Sequence, residues 1–170
     1  MPIRRITKHG EKVLKSTCLP LDYEAWKSEL PALLKDMWAT MGAARGVGLA
    51  APQIGLSLRV AVIDVKPEGK AQRIVLINPE ILSLEGELND EEGCLSLPGV
   101  YAKLRRHARA RVRALDENGK TRELTGEGLL ARAFQHEIDH LDGKLYVDRL
   151  PFEDRLKVLD VIKTAKPGWD

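Results

Sequence analysis

The stretch Gln135-His136-Glu137-Ile138-Asp139-His140 holds two of the chain's four histidines, four residues apart, with a glutamate between them. On a helix that spacing turns both imidazoles to one side, one turn apart. A tetrahedral metal takes two nitrogen ligands in this way, and the glutamate then lies close enough to act on a water held by the metal. Metal-assisted hydrolysis is the chemistry these residues suggest. A catalytic site usually has three protein ligands and one open position, so a third ligand is needed. Upstream, Glu92-Gly93-Cys94-Leu95-Ser96 offers the Cys94 thiolate, a strong ligand for zinc or iron(II). Downstream, Asp160 lies 20 residues beyond His140 and offers a carboxylate. Taken singly, Cys94 reads equally well as a small buried apolar residue, and His136 and His140 as ordinary half-buried histidines. Together with Glu137 they favour a metal.

Several elements must position these groups. Residues 22–41 carry Trp26, Leu30, Leu33, Leu34, Met37, Trp38 and Met41 at helical spacing, which predicts one amphipathic helix with Pro31 as a kink or a late start. Residues 42–55 read as a loop rich in glycine and small residues. Strands are predicted at 59–65, 73–78, 81–84 and 108–115, with 121–124 returning across a hairpin turn at Asn118-Gly119. From about residue 127 to 141, Leu129, Leu130, Ala133, Phe134, Ile138 and Leu141 restore helical spacing, and Gly143 supplies a stop. A last helix is expected over residues 152–165. This predicts an α+β fold, with mixed or antiparallel strands around a central metal-binding helix and helices at both ends.

Length and composition fit one domain spanning residues 1–170, with 44% hydrophobic and 31% charged residues and a net charge of +2. With Cys18 and Cys94 as the only cysteines, a disulfide framework is not expected, and a reducing compartment suits a free Cys94 thiolate. The N-terminal residues lack the apolar core of a signal peptide, and no stretch approaches the roughly 20 apolar residues of a membrane span. A soluble cytoplasmic protein is expected, or an organellar one if a transit segment has been removed. Residues 103–113 contain six Lys or Arg and no acid. Their alternation from His107 to Arg113 reads as a strand with a solvated charged face, the other reading being attraction to ribosomal RNA.

Three motifs in order carry a resemblance to a known family. They are Gly46-Val47-Gly48-Leu49-Ala50-Ala51-Pro52-Gln53-Ile54-Gly55, Glu92-Gly93-Cys94-Leu95-Ser96 and Gln135-His136-Glu137-Ile138-Asp139-His140. Motifs and intervals together resemble the peptide deformylases, and the absence of an insertion between the first two is similar to the bacterial type 1 branch. The resemblance implies removal of the formyl group from the N-terminal formylmethionine of new polypeptides, with release of formate. It implies that Cys94, His136 and His140 hold one divalent metal, iron(II) natively, with zinc or nickel possible in purified protein. Glu137 would be general base and then acid, while the Gln53 carboxamide and the Leu95 backbone N–H would face the developing oxyanion. Val47, Gly48, Leu129 and Ala133 are expected to receive the methionine side chain.

Arg132 shares that helix face, where its stem lines the pocket while its guanidinium pairs with a carboxylate such as Glu92, or where it simply occupies a surface position. Tyr101 stands where many relatives have an arginine that reaches the peptide backbone. The implied partners are formylated nascent peptides and, more distantly, the ribosome. No membrane or specific DNA is implied, and a monomer is expected. Two other readings remain open. One is a metalloprotease with Asp160 as third ligand, and the other a closed structural zinc site serving a binding module.

Overall fold

The computed structural model describes residues 2–66 and 69–169. Five strands form one antiparallel sheet in the order β1 (Gly48–Ala50), β2 (Val60–Val65), β3 (Gln72–Glu85), β6 (Arg109–Leu115), β7 (Thr121–Glu127). β2 is buried along its whole length because helices cover both faces of the sheet. Ala61, Ile63 and Val65 join the core built with α3 (Leu129–Leu141), through Phe134, Ile138 and Leu141. Val60 and Val62 join the opposite core with α2 (Leu30–Ala43), through Leu33, Leu34, Met37 and Met41. A second, two-stranded sheet pairs β4 (Leu88–Cys94) with β5 (Leu97–Arg106). Its Leu97, Val100 and Leu104 pack with Tyr146, Val158 and Ile162, the last two from α4 (Phe152–Ala165). The α+β arrangement around a central helix is as expected, and every strand pairing among the described residues is antiparallel.

Several boundaries differ from the sequence reading. The first helix is broken into a single turn, α1 (Tyr23–Trp26), and α2. The Asp22 carboxylate caps α1 by accepting from the Ala25 N–H at 3.3 Å. Pro31 lies in the first turn of α2, where a missing N–H costs nothing, so the late start holds and no kink forms. The predicted strands at 73–78 and 81–84 are one strand, β3, with a register shift between Ile77 and Glu80. Asn78 takes a positive φ of 51° at that shift, and its side chain bonds both the N–H and the C=O of Leu21, at 2.7 and 2.8 Å. This cross-link is long-range, so local spacing could not reveal that the two runs join.

β1, β4 and β5 were not expected as strands. β1 hides in a glycine-rich stretch, and β4 is too acidic for a pattern of apolar alternation. The expected stop after the histidine helix is present: Gly143 has φ +75°, and a Cβ there would meet the Lys15 carbonyl oxygen at 2.7 Å. In the basic stretch, Ala110 and Val112 are buried while Arg109, Arg111 and Arg113 face outward, but the strand begins at Arg109. Those arginines meet Glu85 and Glu127, Glu123, and Glu80 and Glu123 respectively. No helix among the described residues is long and apolar enough to cross a membrane.

Candidate metal centre

Three elements bring the motifs together. α3 carries His136 and His140 on one side, and their Nε2 atoms stand 3.2 Å apart. The tight hairpin between β4 and β5 pairs Cys94 with Leu97 and leaves only Leu95-Ser96 in the turn. Cys94 is therefore the last residue of a strand, not part of a free loop, and its Sγ lies 3.4 Å from His140 Nε2. The ligand atoms of Cys94, His136 and His140 all fall within 4.8 Å of one another. Metal–nitrogen bonds of 2.0–2.1 Å at a tetrahedral angle require nitrogens about 3.3 Å apart. The donor set fits a zinc-like or iron-like ion in spacing and in chemistry. No fourth protein ligand joins the group among the described residues, and Cys94 and His136 line the cleft. Asp160 is exposed on α4 and outside the group, so the carboxylate alternative fails.

The first motif supplies the opposite wall. β1 runs into a 3-10 turn, Ala51–Ile54, that carries Gln53. Gln53 Oε1 accepts from the Ala50 N–H at 3.0 Å, which aims its Nε2 at Ser96 Oγ, 3.2 Å away, and at Cys94 Sγ, 3.6 Å away. Its carboxamide donor therefore faces the thiol side of the site. Glu137 is buried, and its Oε2 has no hydrogen-bond partner among the described residues. Burial pushes its carboxyl up to about 7. Gly48 is buried directly against it, and a Cβ at Gly48 would overlap the Glu137 carboxylate. Gly48 thus has a second task beyond the expected substrate contact, since its missing side chain gives Glu137 its place.

A cleft of about 580 Å³ opens over these groups, lined by Val47, Gly48, Gln53, Cys94, Leu95, Leu129, Ala133, His136 and Glu137, with Tyr101 and Arg132 also on its wall. Val47 and Leu129 are half exposed at its rim, whereas Ala133 is buried deeper. Mixed small and apolar surface thus lies beside the three convergent donors.

Behind the ligands lies a buried ionic network. Glu92 Oε2 faces His136 Nδ1 at 2.7 Å, so a proton on Nδ1 leaves Nε2 free for a metal. Arg106 donates to both Glu92 oxygens, at 3.1 and 2.7 Å, and to Asp139 Oδ2 at 2.7 Å. Burial would push the Glu92 carboxyl up, but the hydrogen bonds from His136 and Arg106 overcome it and hold the group well below the ordinary carboxylate range. Tyr146 lies nearly parallel to the His136 ring at a centroid distance of 6.4 Å, its hydroxyl donating to the Val100 carbonyl. Sequence reasoning missed Arg106, Asp139 and Tyr146. The signal for Asp139 was present, since acids flanking metal-ligating histidines commonly support the ligands. Arg106 gave none, because its sequence neighbours Arg105 and His107 are exposed.

A family profile described as polypeptide deformylase matches residues 3–155 of this chain. The peptide deformylase of Heliobacterium modesticaldum is 51% identical over 150 residues, covering 88% of this chain and 95% of that protein. The crystal structure of a peptide deformylase from Legionella pneumophila superposes with a TM-score of 0.89 at 47% identity, covering 98% of this chain and 96% of that one. A peptide deformylase from Synechococcus elongatus, solved in complex with actinonin, superposes with a TM-score of 0.87 at 40% identity over 95% of this chain and 88% of that one. Agreement of this breadth takes in all three motifs and the elements that bring them together, and the chain belongs to the peptide deformylase family.

Proposed function

We propose that this chain is a metal-dependent hydrolase that removes the formyl group from the N-terminal formylmethionine of newly made polypeptides and releases formate. The observation that carries this reading is the convergence of Cys94, His136 and His140 beside a buried, unpartnered Glu137 oxygen at the floor of an open cleft. A divalent metal held by these three residues would supply a Lewis acid that activates water near neutral pH. Glu137 takes the proton of the attacking water and returns it to the departing amine, acting first as general base and then as general acid. Negative charge develops on the formyl oxygen as the water's oxygen bonds to the formyl carbon, and it returns to the C=O bond as the C–N bond breaks. Gln53 Nε2 and the Leu95 N–H are the donors set to meet it, and their preorganisation lowers the barrier. Val47, Gly48, Leu129 and Ala133 receive the methionine side chain.

Iron(II) is our choice for the native ion, with zinc or nickel taking its place in purified protein, because a thiolate and two imidazoles accept all three. A monomer working in the cytoplasm, as one domain over residues 1–170, completes the reading. Contact with the ribosome draws no support from the arginines of β6, which glutamates already meet.

Formate release from a formyl-Met peptide, set against cleavage of an internal peptide, tests the activity. Turnover of the internal peptide alone would replace it with a metalloprotease. Metal analysis of anaerobically prepared protein tests the ion. Cys94→Ser should bind metal more weakly, and unchanged metal content and rate would place the third ligand elsewhere.

A further inference from the structure

Arg132 stands four residues before His136 on α3, and only 5% of its surface is exposed. A guanidinium removed from water is costly unless its N–H groups are paired. Here they are. Arg132 Nη1 donates to Glu92 Oε1 at 2.7 Å, while Nη2 donates to the carbonyls of Leu104 at 3.0 Å and Leu88 at 3.3 Å. Those carbonyls belong to β5 and β4, the two strands of the hairpin that ends in Cys94. One side chain therefore ties the Cys94 hairpin to the helix of His136 and His140.

Its contact with Glu92 reaches further. Glu92 Oε1 receives Arg132 and Arg106, while Oε2 receives Arg106 and His136. Pinning Oε1 fixes the rotation of the carboxylate, and with it the direction in which Oε2 meets His136 Nδ1. Arg106 shares that task, but its bond to Oε1 is the longer one, at 3.1 Å against 2.7 Å from Arg132. We propose that Arg132 is a positioning residue. It sets the Glu92 carboxylate that orients His136, and it clamps hairpin to helix, so that Cys94, His136 and His140 converge before a metal arrives. The role rests on the reading of those three residues as the metal ligands.

The substitution Arg132→Met keeps an apolar stem against the cleft and removes every donor. Arg132→Lys keeps the charge, but a single ammonium cannot reproduce the planar fork that reaches a carboxylate and two carbonyls together. Zinc affinity is measured by competition with a chromogenic chelator for the parent, both variants, Glu92→Gln and the double variant, with circular dichroism checking the fold and kcat and KM measured after zinc loading. We expect Arg132→Met to lose 10- to 100-fold in zinc affinity, the usual cost of removing a group that supports a ligand. Arg132→Lys should fall between the two. The loss in activity should lie in kcat more than in KM for the formyl-Met peptide. In the Glu92→Gln background, Arg132→Met should cost less than it does in the parent, because the part of its role that runs through Glu92 is already gone while the carbonyl clamp is still lost.

A folded Arg132→Met chain whose affinity stays within threefold of the parent overturns the inference, as does an effect that multiplies fully in the double variant. Should Arg132→Met not fold, Arg132→Lys carries the same criteria. A parent chain that takes up no zinc, or whose zinc affinity ignores Cys94→Ser, instead overturns the metal-site reading beneath it.

Discussion

Glu137 illustrates how one side chain is prepared by its neighbours. It is 3% exposed, one carboxylate oxygen is unpartnered, and Gly48 leaves the space it occupies. Glu137→Gln keeps the size and can still hydrogen-bond, but it cannot take a proton at neutral pH. Metal content and fold should hold while the rate falls by about 10²–10⁴, the usual worth of a positioned acid–base group. Loss of the metal would make Glu137 a ligand, and an unchanged rate would remove it from the chemistry. Gly48→Ala attacks the same group from outside. Its methyl must displace the Glu137 carboxylate, so we expect kcat for a formyl-Met peptide to drop at least tenfold with zinc affinity nearly intact. A fully active Gly48→Ala enzyme would show that Glu137 acts from another position.

Among the elements, the β6–β7 hairpin carries a pH dependence of stability that is separate from the metal centre. Asp116 accepts from Arg122 Nε at 2.7 Å and from the N–H groups of Asn118 and Lys120 at 2.9 and 3.0 Å. The Arg122 hydrogen bond comes first among the causes that lower its pKa, with the two backbone donors adding to it. A carboxyl whose pKa is depressed in the folded state stabilises above its unfolded value of about 3.9, and that contribution is lost as pH falls through the lower folded value. Arg122 is largely exposed, so solvent and salt screen its share of that contribution. Asp116→Asn should therefore be less stable than the parent at neutral pH, as read by a lower midpoint of urea unfolding. The gap should narrow once the pH drops below about 3.9. A gap that persists undiminished in acid would assign it to turn geometry and not to charge.

At the scale of the whole molecule, three apolar cores among the described residues hold the fold, while the metal donors sit where the two sheets and α3 meet. Chelation should thus abolish formate release yet leave the far-ultraviolet circular dichroism of the folded chain, with a lower melting temperature because a ligand of the native state has been withdrawn. Unfolding on chelation would instead favour a structural metal site. Substrate choice tests the pocket assigned to the methionine side chain. Burying one thioether chain in a dry pocket is worth roughly 1.5–3 kcal/mol, so formyl-Met should be preferred over formyl-Gly by about 10- to 150-fold in kcat/KM. Equal constants would remove the apolar pocket formed by Val47, Leu129 and Ala133 from the account.

The four-residue spacing of His136 and His140 was legible from the chain alone, because helical periodicity places such a pair on one face whatever the surrounding fold. Other local signals marked α4 over Phe152–Ala165 between prolines, the hairpin turn at Asn118-Gly119 and the stop at Gly143. The three motifs, in their order and at their intervals, carried the resemblance to the family. Tertiary structure alone decided the rest, since each remaining feature depends on partners far apart in sequence. Asn78 joins two runs into β3 by bonding Leu21, 57 residues away. Gly48 is required by a glutamate on another element. Arg106, for which no local signal predicted burial, and Arg132, for which pairing with Glu92 and a surface position both stood open, are buried because carboxylates and carbonyls from β4, β5 and α3 converge to satisfy them. Local pattern specifies which way a side chain points along its own element, but whether a charge can leave water depends on what the other elements bring to meet it.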